Sequence, residues 1–581
     1  MWPTLNALAA LAIVPLSAAF NNPPGVDIWC GKAYRASNTS FNPEGWFEEP
    51  SHSPTPLLNL KVRPRMSIYL SNDADASLLV DTGVSHSVGD PLPFTAGIDY
   101  SAHDLHLTIE ISDPKGRPVS SIQNHTLSLD TLNNKIPISL HELPAQLQPY
   151  TVTMHATLTP INTSTKPTTF TRTTELYHLP RRTDGGSATR IDNLYGGLAY
   201  QTSHEETWTS IFPYTYYAQW TLYWNTSPST LETFTEEGYN VIHIVPTGAL
   251  SSTPFPWETL SPYLDLADSH SLKLQWDLQW DPTNQTTALD HIAKMHTHPS
   301  LLLWYLADEP DGKGAQPLSA PHEAYTLLKT LDPYHPVSLA LNCANFHYRE
   351  YAAGADIIIS DVYPVATNTS WCSVYGTPCN ATYGCCGCDD CEGRFEDIAV
   401  RLDTFKAFDE VVGWEKVHWG APQAFGEESF WTRLPTAAEE VVMDVLSVNH
   451  GALGVVMWDF PTSAEISAVT RGLARVLTDE DVTRFLVGVG RRRVSVGGGV
   501  ERVDAAVWVD DNAKKALVSV VNLNYEATGK VDVQIEGGWT VGRIEKVLWG
   551  AVRWEVGDGR LKVDGLHGLD VSMLIVEVVS K

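Results

Sequence analysis

The stretch Leu301-Leu302-Leu303-Trp304-Tyr305-Leu306-Ala307-Asp308-Glu309-Pro310 decides the fold. Seven apolar and aromatic residues run without a polar break, as in a strand covered on both faces, and the run stops at two acids and a proline. Outward from it, from about residue 192, short apolar strands alternate with stretches of helical composition. Strands are expected at 194–200, 241–245, 272–280, 301–306, 337–341, 356–362, 416–425 and 454–460, with helical spacing between them, as in 288–292, 324–331 and 437–448. Strand and helix repeated eight times predict an α/β fold, a (β/α)8 TIM barrel over 190–485.

On both sides of the barrel the periodicity changes to two. Runs such as Leu105 to Ile111 and Tyr150 to Ala156, separated by Pro, Gly, Asn and Asp clusters, predict an N-terminal antiparallel β-sandwich over 24–188. The polar stretch 180–187 reads as a linker. Alternation returns at Ala505 to Val509 and Ala516 to Val521, predicting a C-terminal β-sandwich over 495–581. Arg491-Arg492-Arg493, just before it, read as a solvated or interdomain charge cluster on so acidic a chain.

Residues 1–19 hold an apolar run, Leu8 to Leu16, too short to span a bilayer, and close on Ser17-Ala18-Ala19. That is the pattern of a signal peptide, and it predicts a secreted, extracellular glycoprotein that is not a membrane protein. Seven Asn-x-Ser/Thr triplets, at Asn38, Asn124, Asn162, Asn225, Asn284, Asn368 and Asn380, agree with that route. So do eight cysteines, six of them crowded between Cys372 and Cys391 in an insertion at 366–393. Disulfides are expected, with Cys30 and Cys343 the natural remaining pair; zinc on Cys385, Cys388 and Cys391 is the rival.

The balance of 39 Lys+Arg against 68 Asp+Glu, a formal charge of −29, excludes a nucleic-acid partner, because it repels a phosphate backbone. No phosphate-binding glycine loop, no Gly-x-Ser-x-Gly turn and no metal-spaced histidines occur, so no cofactor and no metal are expected. In a barrel of this kind chemistry belongs at the carboxyl ends of the strands. Trp280, Asp361, Tyr363, Gln423 and Trp458 stand at such ends and suit a sugar, which needs flat aromatic faces and hydrogen-bond acceptors. Asp308-Glu309-Pro310 supplies a carboxylic acid among aromatic neighbours, the environment of a general acid.

The chain resembles the clan of retaining (β/α)8-barrel glycoside hydrolases, whose fourth strand commonly ends in Asn-Glu-Pro with the Glu as acid and base. Glu309-Pro310 match that ending, whereas Asp308 replaces the Asn. The resemblance implies a carbohydrate substrate and a second catalytic Glu at the end of strand seven. Gln423 stands where that Glu is expected, so Glu427 or Glu428, just beyond it, are the candidate nucleophiles. Asp308-Glu309 also resembles the Asp-Glu pair of substrate-assisted hexosaminidases, in which the Asp orients the sugar's acetamido group and no protein nucleophile is needed. A non-catalytic carbohydrate-binding protein on a hydrolase barrel is the third possibility. The residues set neither the sugar, its linkage nor an oligomeric state.

Overall fold

The computed structural model describes residues 26, 28–33, 44–94, 98–159, 167–313, 316–380, 383–384, 387–413 and 415–580. The stretch read as a signal peptide, with Asn38, Asn162, Cys385 and Cys386, lies outside them. Among the described residues no helix is long and apolar enough to cross a membrane.

Eight parallel strands close a barrel in sequence order. They are Tyr214–Gln219, Val241–Val245, Lys273–Asp277, Leu301–Tyr305, Val337–Leu341, Ile357–Ser360, Val417–Gly420 and Val455–Phe460, numbered one to eight below. Strands four and five are buried at every position, because the barrel interior takes one face and the outer helices take the other. Strand one pairs with both strand two and strand eight, which closes the ring.

The first strand differs from the expectation. Residues 198–202 belong to a three-stranded antiparallel sheet, Ser187–Ile191, Leu198–Thr202 and Thr209–Ile211, outside the barrel. The barrel instead opens with Tyr-Thr-Tyr-Tyr-Ala-Gln, between the first two expected strands. Aromatic and β-branched residues favour a pleated, packed surface, and the first five of these six are buried.

The N-terminal part forms a five-stranded and a four-stranded sheet that contribute to one apolar core. Leu107, Ile109, Val152 and Met154 come from the first, and Leu58, Leu60, Leu78 and Val80 from the second. Leu57–Pro64 alternates half-buried and buried along its whole length, the signature of a sheet with one face on the core. The C-terminal part likewise has a five-stranded and a four-stranded sheet. The 180–187 stretch is docked rather than a free tether: the Arg182 guanidinium lies 4.6 Å over the Tyr334 ring, and Ser187 Oγ donates to the Leu301 carbonyl at 2.6 Å. Arg491 donates to the Asn449 carbonyl and Arg492 pairs with Asp511, so these arginines face different neighbours.

Cys30 and Cys343 form a disulfide across 313 residues. It pins a small hairpin, Ile28–Trp29 with Lys32–Ala33, against the end of strand five. Lys32 Nζ, almost fully buried, pairs with Asp389 at 2.7 Å in the cysteine-rich insertion. Cys388 and Cys391 are joined to each other and Cys379 is also oxidised, so zinc held by Cys388 and Cys391 thiolates is ruled out. Cys372 is a buried free thiol.

Candidate active site

Strand four ends at Tyr305, and the chain turns through Asp308 and Glu309 into a short helical turn, Pro310–Lys313. Glu309 has φ +43°, in the left-handed region where a side chain with a Cβ is strained. Gln279, Ala366, Glu427 and Ser429 share that conformation, all in loops beyond the carboxyl ends of strands three, six and seven. These five strained positions stand at the face where barrels place their chemistry.

Carboxyl groups from three strands meet there. Glu309 is hydrogen-bonded to Asp361, which follows strand six and is 4% exposed. Burial pushes Asp361 up to about 7, against the opposing effect of that bond. Asp308 accepts the Tyr305 hydroxyl at 2.5 Å and stays open to the cleft, yet the dense protein around it raises its pKa. Asp277, at the end of strand three, accepts the Gln279 backbone N–H at 2.8 Å and has a fifth of its side chain exposed (20%). Burial, aided by the charge of Asp308, moves it up to about 7. Asp311 accepts the backbone N–H groups of Asn342 and Cys343 at 3.3 and 2.9 Å and is also driven by burial to about 7. The disulfide-pinned hairpin thus abuts the loop that carries Glu309: Cys30 N–H donates to the Gly312 carbonyl at 2.8 Å.

Aromatic rings line the floor. Tyr217 of strand one lies 4.5 Å from His243, 5.7 Å from Tyr305 and 5.4 Å from Trp458, centroid to centroid. Tyr363, seven per cent exposed (7%), packs 5.0 Å from Phe425. Burial pulls His243 down to about 3, so it is a neutral imidazole.

The expected site residues separate into two groups. Asp308, Glu309, Asp361 and Tyr363 come together in one electrostatically connected cluster, and Trp458 joins it through Tyr217. Trp280 is half-buried just past strand three, its indole N–H without a protein partner. Gln423 is corrected: it is fully buried (0%) and its amide is committed to backbone. It accepts the Val365 N–H at 3.0 Å and donates to the Val365 and Phe425 carbonyls at 3.1 and 3.2 Å, so it ties the ends of strands six and seven together instead of meeting substrate. Glu427 and Glu428 are exposed on the turn after strand seven. Glu428 acts on Asp459, at the end of strand eight, whose pKa is raised by burial first and by Glu428 as well.

Sequence reasoning passed over Asp277, His243 and Tyr217. Asp277 lay inside the expected strand 272–280, whereas the observed strand ends at it. Tyr217 was hidden by the misplaced first strand, and His243 belongs to no motif.

The fold and these residues define a class, a (β/α)8 barrel with a carboxyl-rich, aromatic-floored cleft at the carboxyl ends of its strands. No protein-family model matches the chain, and no curated protein matches it. Among solved structures the chain is similar to the FMN-binding β-glucuronidase from Facaelibacterium prausnitzii L2-6, at 14% identity and a TM-score of 0.31, over 83% of this chain and 72% of that one. It is also similar to the β-glucuronidase of Parabacteroides merdae, at 11% identity and a TM-score of 0.29 over 90% and 75%. A third is that of Bifidobacterium dentium, at 12% identity and a TM-score of 0.31 over 72% and 67%. Scores this low assign neither family nor substrate.

Proposed function

We propose that this chain is a secreted glycoside hydrolase that cleaves O-glycosidic bonds by a retaining, carboxylate-based mechanism. The observation that carries the reading is the hydrogen bond between Glu309 and Asp361 at the mouth of the barrel. Two carboxyl groups can share such a bond only if one of them holds a proton. In the first step Glu309 gives a proton to the leaving glycosidic oxygen while a carboxylate attacks the anomeric carbon and forms an ester; in the second, Glu309 takes a proton from the water that opens it. Glu428 is the better nucleophile of the two candidates, because its charge reaches Asp459 on strand eight, which stands across the ring from strand four. Trp458 and Trp280, both half-buried, offer aromatic surface to the sugar, and Tyr363, which is buried, backs the carboxyl cluster.

A second reading is favoured by Asp308, which is open to the cleft, adjacent to Glu309 and held by the Tyr305 hydroxyl. In it, Asp308 orients a substrate acetamido group that attacks in place of Glu428. Secretion is supported by the surface: all five described acceptor asparagines, Asn124, Asn225, Asn284, Asn368 and Asn380, are exposed, as a glycan requires.

Proton NMR of the first sugar released is expected to show a retained anomeric configuration. The rate constant kcat/KM is expected to change as pH passes through about 7, where Asp361, the partner of Glu309, changes its charge. An inverted product would remove Glu428 from the mechanism, and no release from a panel of α- and β-glycosides would end the hydrolase reading. Loss of activity on replacing an acetamido group by hydroxyl would transfer the nucleophile to the substrate.

A further inference from the structure

The turn that carries Glu309 does not keep its shape unaided. Glu309 stands at φ +43°, and the turn behind it is closed by a backbone bond, Gly312 N–H to the Glu309 carbonyl at 3.1 Å. A side chain in the left-handed region persists only where its surroundings over-determine it. Here those surroundings come from the start of the chain.

The Cys30 N–H donates to the Gly312 carbonyl at 2.8 Å, so the two peptide groups of Gly312 are engaged on opposite sides, one by Glu309 and the other by the hairpin. The Trp29 indole lies directly against Gly312: a Cβ there would stand 2.7 Å from its Cζ2 and 2.9 Å from its Cε2, closer than a side chain tolerates. Glycine is what lets the ring in. The indole N–H donates to Asn342 Oδ1 at 2.6 Å, which fixes the plane of the ring. Asn342 and Cys343 in turn give their backbone N–H groups to Asp311, the neighbour of Gly312. Trp29 is thus wedged between the turn after strand four and the end of strand five.

The hairpin pairs Ile28 with Ala33 and Trp29 with Lys32, too little to hold together by itself in water. Its turn is fastened by the Cys30–Cys343 bridge and its second strand by the buried pair of Lys32 with Asp389. Those two ties carry the load that keeps the indole on Gly312.

Resting on the hydrolase reading above, we propose that Trp29 is a positioning residue for Glu309, held against Gly312 by the Cys30–Cys343 bridge so that the acid stays aimed at the leaving oxygen. It acts through the turn 309–312 and not on the sugar. Its removal is therefore felt in proton transfer more than in binding, because Trp280 and Trp458, which face the sugar, stand past other strands.

In the full-length chain, Trp29→Ala is expected to lower kcat on an alkyl glycoside about ten- to a hundredfold, as a displacement of the reacting group by up to about an ångström does, and to leave KM within about twofold. An aryl glycoside whose leaving group departs without protonation is expected to lose less than about threefold. In a Glu309→Gln background the same substitution is expected to add nothing, since no proton is left to aim. Trp29→Phe, which keeps a ring over Gly312, is expected to recover most of the alkyl rate. Equal losses on both leaving groups, an undiminished further loss in Glu309→Gln, or an unchanged kcat each overturn the proposal and leave the hydrolase reading standing. Cys30→Ala with Cys343→Ala is expected to repeat the Trp29→Ala pattern, and a parent-like alkyl rate in it overturns the part given to the bridge. If the parent cleaves nothing, the hydrolase reading falls and hydrogen exchange decides. A Gly312 amide that exchanges on the order of tenfold faster in Trp29→Ala sustains the hold on the turn, and equal exchange overturns it as well.

Discussion

Glu309→Gln is expected to lower kcat/KM about a thousandfold or more on every substrate the protein cleaves, with the fold intact. The loss of a positioned general acid is worth roughly two to four orders of magnitude, and a poor leaving group places the loss at the upper end. Glutamine keeps the shape of the side chain and can still donate a hydrogen bond to Asp361, so the strand-end geometry stays in place. What disappears is the transferable proton. The distinguishing measurement is a leaving-group series: an aryl glycoside that departs without protonation is expected to lose far less than an alkyl one. Equal activity of mutant and parent on alkyl glycosides would remove Glu309 from the chemistry and move attention to Asp308.

The second large effect concerns stability. The helix Ala437–Asn449 carries Glu440 and Asp444 one turn apart, both fully buried (0%). Asp444 accepts the Tyr214 hydroxyl, but its other oxygen and both oxygens of Glu440 have no protein partner. Burial pushes Asp444 up to about 8 and Glu440 well above the usual carboxylate range, Asp444 adding to the latter. Both groups are therefore folded as neutral acids. A carboxyl whose folded pKa is raised binds more protons in the folded state than in the unfolded one, so stability is complete below about 4 and declines as pH climbs toward 8. The slope is on the order of 1.4 kcal/mol per pH unit per group, so several kcal/mol are at stake. Asp444→Asn keeps an acceptor for Tyr214 and cannot ionise. Its Tm is expected to match that of the parent near pH 4 and to exceed it by several degrees near pH 8. Parallel Tm–pH curves for the two proteins would show that Asp444 is charged in the folded state.

Much of the barrel was legible because strands covered on both faces are largely apolar, as strands four, five and six are, and because such runs alternate with helical spacing. Strand one was not, since its tyrosines read equally well as a binding loop. At the site, Asp308 and Glu309 were legible because together they end an apolar run, and Asp361 because it directly follows strand six, with Ser360 between it and the isoleucines. The fate of Gln423 was not, because its partner Val365 is 58 residues away and only the ring closure brings them together. Nor was the burial of Glu440 and Asp444: they lie where a surface helix would carry its charges, and that face is turned toward Tyr214 and Tyr216 of barrel strand one.

The Cys30–Cys343 bridge also makes a covalent ring of 313 residues' separation that encloses the entire N-terminal pair of sheets and the first half of the barrel. A protease that cuts at the exposed Thr183-Asp184 step would thus release nothing. The severed piece would run with the remainder on a non-reducing gel and separate only when a thiol is added, so in an oxidising medium a single nick in this ring leaves the molecule in one piece.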